Sequence, residues 1–310
     1  MRGLLGRRRQ PPPLPLFPGA KRSSAPASLL FARLRRVLPA SRLLRLLLLL
    51  ALLSLVPPAF FHLRLRRFHR MRERKCGWIT SPPMVCAHGG DSTNAFPNSM
   101  EAFRMALEAR VDCVEVDVSR SSDGVLFALH DRDLQKISGN STAKVGHWST
   151  DEMIAQSVRQ VILDVKVGPP LFEKGLADDV LSLLKRTNCK NCLVWAKSDD
   201  LGRDMIKLSE DVMVGYIVMV DKSTGRRTEL VRLKGAKVAG VYHPLIQEKV
   251  VKVMRRHDKK VFAWTVDDSN SMEKMLYEHV DAIVTSNPSL LQQLMHETRT
   301  ECMEDGISFP

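Results

Sequence analysis

The feature that most constrains this chain is a repeat of short apolar runs and amphipathic stretches between residues 84 and 296. The apolar runs have the length of strands, and most are continuously apolar, which is typical of parallel strands buried on both faces. The stretches between them have the spacing of helices with one apolar face. A repeated strand–helix order predicts a parallel sheet with crossover helices.

Eight strands follow from this pattern. They are predicted at Met84–Gly90, Cys113–Ser119, Val161–Lys166, Leu193–Ser198, Met213–Val220, Val238–His243, Val261–Val266 and Ala282–Ser286. The clearest helices between them are Ser99–Arg110, Glu173–Thr187, Gln247–His257 and Met272–Glu278. Eight strand–helix units in this length favour a closed TIM (β/α)8 barrel, and an open doubly wound sheet is the alternative.

One segment interrupts the repeat. After the second strand, Val125–His130 predicts an extra strand, and a polar loop follows from Ser138 to His147. Ser149 to Glu152 then fits a capping box that opens a short helix, Ser149–Arg159. The sequence therefore predicts a short insertion after strand two.

The N-terminal segment differs from the rest of the chain in charge. Residues 1–75 hold 18 Lys and Arg against one acid, a net charge of +17, so residues 76–310 contribute −4 to the total of +13. A nucleic-acid-binding domain would carry its basic patch on the fold itself, so we expect no nucleic-acid partner. Basic residues around an apolar run favour a role at a membrane instead.

That apolar run extends from Leu46 to Phe61 and contains Pro57 and Pro58. It is slightly shorter than the roughly 20 residues usual for a membrane-spanning helix. Snorkelling of Arg45 and Arg64 would lengthen it. We predict a single-pass signal anchor, and a cleaved signal or transit peptide and a buried core helix are the alternatives.

The predicted layout has five parts. They are an unstructured, basic, Pro-rich segment at 1–42, the anchor at 43–62, a basic juxtamembrane linker at 63–83, the barrel at 84–298 and a tail at 299–310. The glycosylation sequon at Asn140 favours a lumenal or extracellular barrel. The larger number of basic residues after the run favours the opposite orientation. We expect the lumenal or extracellular placement.

Six cysteines are too few to predict a disulfide scaffold for a chain of this length. Cys189 and Cys192 form a lone CxxC motif, whereas a structural zinc site needs four ligands. A packed thiol pair or a local disulfide is therefore the preferred interpretation of this motif.

Polar residues that can carry chemistry lie at the predicted carboxyl ends of several strands, where TIM barrels place their active sites. These residues are His88, Glu115, Asp117, His130, Asp164, Lys166 and Trp264. Glu115 and Asp117 alternate along one strand and so face the same side. Together with Asp164 they predict a carboxylate cluster that a hard cation, Mg²⁺ or Ca²⁺, would neutralise.

The remaining residues suggest an acid–base pair and a substrate contact. His88 and His130 each precede a sharp loop and are candidates for a general acid and a general base. Lys166 is a candidate to neutralise an anionic substrate oxygen. Trp264 fits either the core or a substrate-binding surface.

At these residues the chain resembles the glycerophosphodiester phosphodiesterase family, and it is similar to the membrane-anchored plant members. The matching motifs are AHGG at 87–90, PNSMEAF at 97–103, VEVDVSRSSDGVLFALHD at 114–131, ILDVK at 162–166, FAWTVDD at 262–268 and DAIVTSNP at 281–288. The resemblance covers about residues 84–296. It implies a TIM barrel with an insertion after strand two, a divalent metal on Glu115, Asp117 and Asp164, and His88 and His130 as the acid–base pair.

The reaction implied by the resemblance is hydrolysis of a glycerophosphodiester to an alcohol and sn-glycerol 3-phosphate. The chain departs from the family pattern at four places. Gly89 stands where the family usually has Arg, Pro97 stands where it usually has a metal-binding Glu, Asp164 replaces a Glu, and the insertion is short. These departures motivate a second hypothesis, a weak or inactive phosphodiester-binding barrel at the membrane. The anchor motivates a third, lysophospholipase D activity on membrane lysolipids.

Overall fold

A computed structural model of the protein describes residues 41–131, 135–136, 141, 159–168 and 172–304. Most of the predicted unstructured segment, Asn140 of the sequon and nearly all of the predicted helix at 149–159 lie outside these residues. The chain divides into two units, Met1–Arg66 and Arg67–Pro310.

The first described helix, α1, extends from Arg42 to Cys76 and includes both prolines of the apolar run. It therefore continues through most of the segment expected as a juxtamembrane linker, and a 3-10 turn at Gly77–Thr80 follows it. An 18-residue window of this region has a mean hydropathy of 2.2, and none of that window is buried. Because the window is exposed, it does not fit a buried core helix. By length and composition it is a candidate membrane span.

Nine strands form one sheet in the described part of the chain. They are β1 (Met84–His88), β2 (Cys113–Arg120), β3 (Leu126–Ala128), β4 (Gln160–Val165), β5 (Cys192–Ala196), β6 (Met213–Val218), β7 (Val238–Tyr242), β8 (Lys260–Trp264) and β9 (Ala282–Thr285). Eight of them pair in parallel, and β1 pairs with both β2 and β9, so the sheet closes on itself. The closed barrel confirms the predicted fold class and excludes the open sheet.

The structure confirms each predicted strand, and β3, the extra one, pairs antiparallel with β2. The described helices after α1 are α2 (Met100–Glu108), α3 (Leu176–Arg186), α4 (Asp199–Leu208), α5 (Glu248–Arg256), α6 (Ser269–Tyr277) and α7 (Pro288–Glu304). Their apolar faces pack on the outside of the barrel, for example through Val180 of α3 and Met205 of α4. Most predicted strands extend one or two residues beyond the observed carboxyl end, into the loops that follow.

A large side chain fills the barrel below its mouth. Trp195 of β5 is 2 % exposed and packs edge-on against Phe262, with ring centroids 6.2 Å apart. A Cβ atom added at Gly215 would lie 2.5 Å from the Trp195 ring, and one at Gly240 would lie 2.6 Å from it. The two glycines on β6 and β7 therefore make room for the indole, which forms a floor under the residues at the strand ends.

All six cysteines of the chain are paired. Of the two interpretations of the CxxC motif, a packed thiol pair or a local disulfide, the structure shows the disulfide between Cys189 and Cys192. Cys76 at the end of α1 pairs with Cys302 of α7, and neighbouring Lys75 contacts Glu301 at 2.8 Å. The third pair, Cys86 and Cys113, joins β1 to β2 in register. The sequence did not predict these last two pairs.

Candidate active site

Strand register brings the predicted polar residues together at the carboxyl end of the barrel. His88 of β1 is the register partner of Glu115 on β2. Asp117, two residues further along β2, is the register partner of Asp164 on β4. Because alternate residues of a strand face the same side, three adjacent strands direct this group of side chains into the barrel mouth.

The three carboxylates form one buried cluster. Glu115 and Asp117 are each 1 % exposed and Asp164 is 5 % exposed. One carboxylate oxygen from each lies within 4.8 Å of the others. Three negative charges this close repel one another strongly in a site that solvent screens little, so they need cations beside them.

Lys166 supplies one such cation. Its ammonium group contacts both Asp117 and Asp164, and its side chain is only 17 % exposed. The two carboxylates outweigh the effect of burial and raise the pKa of Lys166 above its ordinary value. Lys166 therefore lies inside the carboxylate cluster as a permanent positive charge.

The members of the cluster differ in how readily they ionise. Burial, together with the charges of Asp117 and Asp164, raises the pKa of Glu115 well above its usual range. Burial also opposes ionisation of Asp117, but Lys166 and the Asn98 amide outweigh it and hold the pKa of Asp117 below its ordinary value. Glu115 is thus the carboxylate that most needs a further positive charge in order to ionise.

Asn98 positions Asp117, a role that sequence reasoning missed. Its side-chain Nδ2 donates to Asp117 Oδ2 at 2.8 Å, and its Oδ1 accepts from the Asp117 backbone N–H at 3.0 Å. Asn98 is 4 % exposed and has a φ of 61°, a left-handed conformation that asparagine tolerates better than most residues. The sequence signal for this role was a polar residue, Asn98, directly after Pro97 and just before α2 begins.

We expect Asn98→Ala to weaken divalent-metal binding by about 10- to 100-fold, because partners of ligating carboxylates contribute that much to affinity. It should also lower the free energy of unfolding by about 1 to 3 kcal/mol, since it removes two buried hydrogen bonds. Calorimetric titration with Ca²⁺ and thermal unfolding measure the two effects. Asn270→Ala on the exposed surface of α6 is the matched control. Wild-type metal affinity in Asn98→Ala would contradict this role.

Two departures from the family pattern are physically linked. Gly89 has a φ of 64°, and a Cβ atom added there would lie 2.8 Å from the Pro97 Cβ. The Asn98 backbone N–H donates to the Gly89 carbonyl at 2.7 Å, which fixes this close approach. A larger residue at 89 would therefore be strained and would displace Pro97, so the family arginine at 89 does not fit beside Pro97.

The two predicted histidines both lie beside the cluster-bearing strand. His88 ends β1, and its charge contributes to lowering the pKa of Asp117. His130 follows β3, directly after Leu129, whose carbonyl accepts a hydrogen bond from Ser119 Oγ on β2 at 2.6 Å. This hydrogen bond anchors the backbone before His130 to the strand that carries Glu115 and Asp117.

Aromatic and apolar side chains occupy the other side of the mouth. Trp264 at the end of β8 is half-buried, and the Tyr242 ring lies 5.7 Å from it, centroid to centroid. The Lys197 ammonium lies 5.3 Å from the centroid of the Trp264 ring and 3.0 Å from Asp164 Oδ2. We call Met219, Tyr242 and Trp264 the apolar wall. Lys197 lies between this wall and the carboxylates.

The cluster fits a hard divalent cation. All its donors are carboxylate oxygens, the ligand type that Mg²⁺ and Ca²⁺ prefer. Asp164 Oδ1 is buried and has no hydrogen-bond partner among the described residues, so it is free to bind a cation. The three carboxylates predicted as metal ligands, Glu115, Asp117 and Asp164, thus lie together in one buried group.

Comparison with known proteins gives matches to two family models and to a curated relative. The model of the glycerophosphoryl diester phosphodiesterase family matches residues 88–185, and that of dermonecrotic toxin SPH matches residues 242–302. The chain is 54 % identical over 283 residues to glycerophosphodiester phosphodiesterase GDPD4 of Arabidopsis thaliana, which covers 83 % of this chain and 86 % of that relative.

The chain belongs to the glycerophosphodiester phosphodiesterase family. Solved structures of this family share its fold. A putative member from Galdieria sulphuraria matches with a TM-score of 0.59 at 16 % identity, over 69 % of this chain and 98 % of its own. An Oleispira antarctica phosphodiesterase, solved with the product sn-glycerol-3-phosphate, matches with a TM-score of 0.54 at 17 % identity, over 69 % and 97 %.

Proposed function

We propose that this glycerophosphodiester phosphodiesterase hydrolyses glycerophosphodiesters to an alcohol and sn-glycerol 3-phosphate, with a divalent cation as cofactor. The observation that carries the proposal is the buried cluster of Glu115, Asp117 and Asp164 beside His88, set by the register of three neighbouring strands. A site of this kind binds a cation and places a proton-transferring group next to it.

The carboxylates have the role of holding the cation. Glu115, Asp117 and Asp164 supply one oxygen each, and Asn98 keeps the Asp117 carboxylate oriented. A cation held there would polarise the phosphoryl oxygens of the diester and stabilise the negative charge that develops on them. Lys166 keeps Asp117 and Asp164 ionised, so that both are ready to act as ligands.

The histidines have the role of moving protons. One accepts a proton from the attacking water, and the other donates a proton to the alcohol oxygen as its bond to phosphorus breaks. His88 and His130 fit this pair because both lie beside β2, at the end of the barrel where the carboxylates meet.

The apolar wall supports lysophospholipase D activity as a second candidate function. Met219, Tyr242 and Trp264 give the mouth an apolar side that an acyl chain or an alcohol group can contact. Competition between glycerophosphocholine and lysophosphatidylcholine, with the purified full chain in detergent, separates the two. We expect faster release of sn-glycerol 3-phosphate than of lysophosphatidic acid. The reverse order would favour the lysolipid reaction, and no product from either would favour a binding barrel.

We propose further that α1 anchors the chain in a membrane and that the barrel lies in a lumenal or extracellular compartment. The six paired cysteines support this placement, because disulfides persist in oxidising compartments and are rare in the cytosol. The sequon at Asn140 supports it as well. The basic residues after the apolar run oppose it by the positive-inside rule.

Glycan removal from the chain expressed in eukaryotic cells tests this placement. We expect a glycosidase that removes N-linked glycans to increase its mobility, and Asn140→Gln to abolish that shift. Thiol alkylation without reductant should label none of the cysteines. A chain that lacks the glycan and has all its thiols alkylated would place the barrel in the cytosol.

A further inference from the structure

We propose that Lys197 is a substrate-binding residue of this site, whose ammonium group binds a non-bridging oxygen of the phosphodiester while Trp264 holds it in place. The inference rests on the proposed function and extends it to a residue outside the predicted set. Its basis is where Lys197 lies: 3.0 Å from Asp164 Oδ2 on one side and 5.3 Å from the Trp264 ring centroid on the other.

The backbone directs Lys197 into the mouth. It follows β5, two residues after Trp195, and alternate residues along a strand face the same side. Trp195 fills the barrel interior, so Lys197 points inward one layer above it, at the level of the carboxylates. The Trp264 face attracts its ammonium group by a cation–π interaction, which limits where that group can lie.

Lys197 and Lys166 differ in accessibility and in partners. The Lys166 side chain is 17 % exposed and its ammonium contacts two carboxylates, whereas the Lys197 side chain is 31 % exposed and, among the described carboxylates, pairs with Asp164 only. Moving Lys166 toward a substrate would leave two buried carboxylates without their cation, which is costly. Lys197 can turn toward a ligand and leave Asp164 paired with Lys166.

The balance of charges in the site also supports a substrate-binding role for Lys197. One divalent cation and Lys166 together would neutralise three ionised carboxylates, so Lys197 adds a positive charge that the carboxylates do not need. A phosphodiester is an anion and would be attracted to this charge. Gly89 brings no charge to the site, which increases the share of phosphate binding that Lys197 must supply. Hydrogen bonds from a charged donor to a phosphate oxygen are among the stronger ones in proteins.

Lys197→Met tests the proposal, because it keeps the length and apolar stem of the side chain and removes the charge. Two affinities are measured by calorimetry with the full chain in detergent: that for Mg²⁺ alone, and that for sn-glycerol 3-phosphate at saturating Mg²⁺. We expect unchanged or tighter Mg²⁺ binding and about 10- to 100-fold weaker binding of sn-glycerol 3-phosphate. The KM for glycerophosphocholine should rise by a similar factor with little change in kcat.

Two further variants complete the design. Lys197→Arg keeps the charge and should restore binding of sn-glycerol 3-phosphate to within a few-fold of wild type. Lys207→Met is the matched control, since Lys207 also has one aspartate partner, Asp204 at 3.7 Å, but lies 73 % exposed on α4, away from the strand ends. We expect it to behave as wild type in all three measurements.

Two results would overturn the assignment. Weaker Mg²⁺ binding with unchanged affinity for sn-glycerol 3-phosphate would mean that Lys197 only supports Asp164, and no change in either affinity would mean that it has no part in the site. Failure of the proposed function is distinguishable, because wild-type protein would then neither hydrolyse glycerophosphocholine nor bind sn-glycerol 3-phosphate.

Discussion

Replacing Glu115 with glutamine is expected to slow hydrolysis of glycerophosphocholine by at least about 1,000-fold. Glutamine keeps the volume of the side chain and still accepts the Gly89 N–H bond that Glu115 Oε2 accepts at 3.0 Å. It removes one of three carboxylate ligands, and metal stabilisation of a phosphoryl transition state is worth several kcal/mol, which corresponds to this loss of rate. Release of sn-glycerol 3-phosphate at saturating Mg²⁺ measures the effect.

The fold should tolerate this change. Burial and two neighbouring carboxylates raise the pKa of Glu115, so a neutral glutamine avoids a buried charge and relieves repulsion, and it should not lower the unfolding temperature of metal-free protein. Glu210→Gln, at an exposed position after α4, is the matched control and should keep full activity. Activity of Glu115→Gln within about tenfold of wild type would show that Glu115 is not a ligand of a catalytic metal.

Replacing His88 or His130 with glutamine should each slow the reaction by about 100- to 10,000-fold, the usual contribution of a general acid or base. Metal affinity should stay within a few-fold of wild type, because neither residue belongs to the carboxylate cluster. Steady-state rates together with calorimetric titration of Mg²⁺ separate a proton-transfer role from a metal-binding one.

The nature of the leaving group then distinguishes acid from base. A glycerophosphodiester of p-nitrophenol needs little protonation of its leaving oxygen, so the variant that lacks the acid should recover most of its activity on that substrate. The variant that lacks the base should not recover. His257→Gln, at the exposed C-terminal end of α5, is the control. Equal losses on both substrates in both variants would contradict the assignment of the two histidines as an acid–base pair.

Much of the fold follows from local pattern. Strands buried on both faces give continuous apolar runs, so all eight barrel strands were predictable, and so was the extra strand β3. Alternation along β2 placed Glu115 and Asp117 on one face before any pairing was known. The register that sets Asp117 opposite Asp164 is a tertiary property, and no local pattern contains it.

The residues that sequence reasoning missed depend on distant partners. Asn98 acts through Asp117, nineteen residues away, and the Cys76–Cys302 disulfide joins residues separated by 226 positions. Lys197 was placed inside a predicted strand, and a charge at the end of an apolar run could have marked it, as it did for Asp117. Its position depends on a cation–π contact with Trp264, which lies on a different strand.

We infer that the buried carboxylates hold a divalent cation that hydrolysis requires. The most direct measurement is release of sn-glycerol 3-phosphate from glycerophosphocholine by the purified full chain, first treated with EDTA and then supplied with Mg²⁺ or Ca²⁺. We expect no release in EDTA and recovery with at least one of the two ions, in wild type but not in Glu115→Gln. Equal release with and without EDTA, or equal recovery in Glu115→Gln, would contradict it.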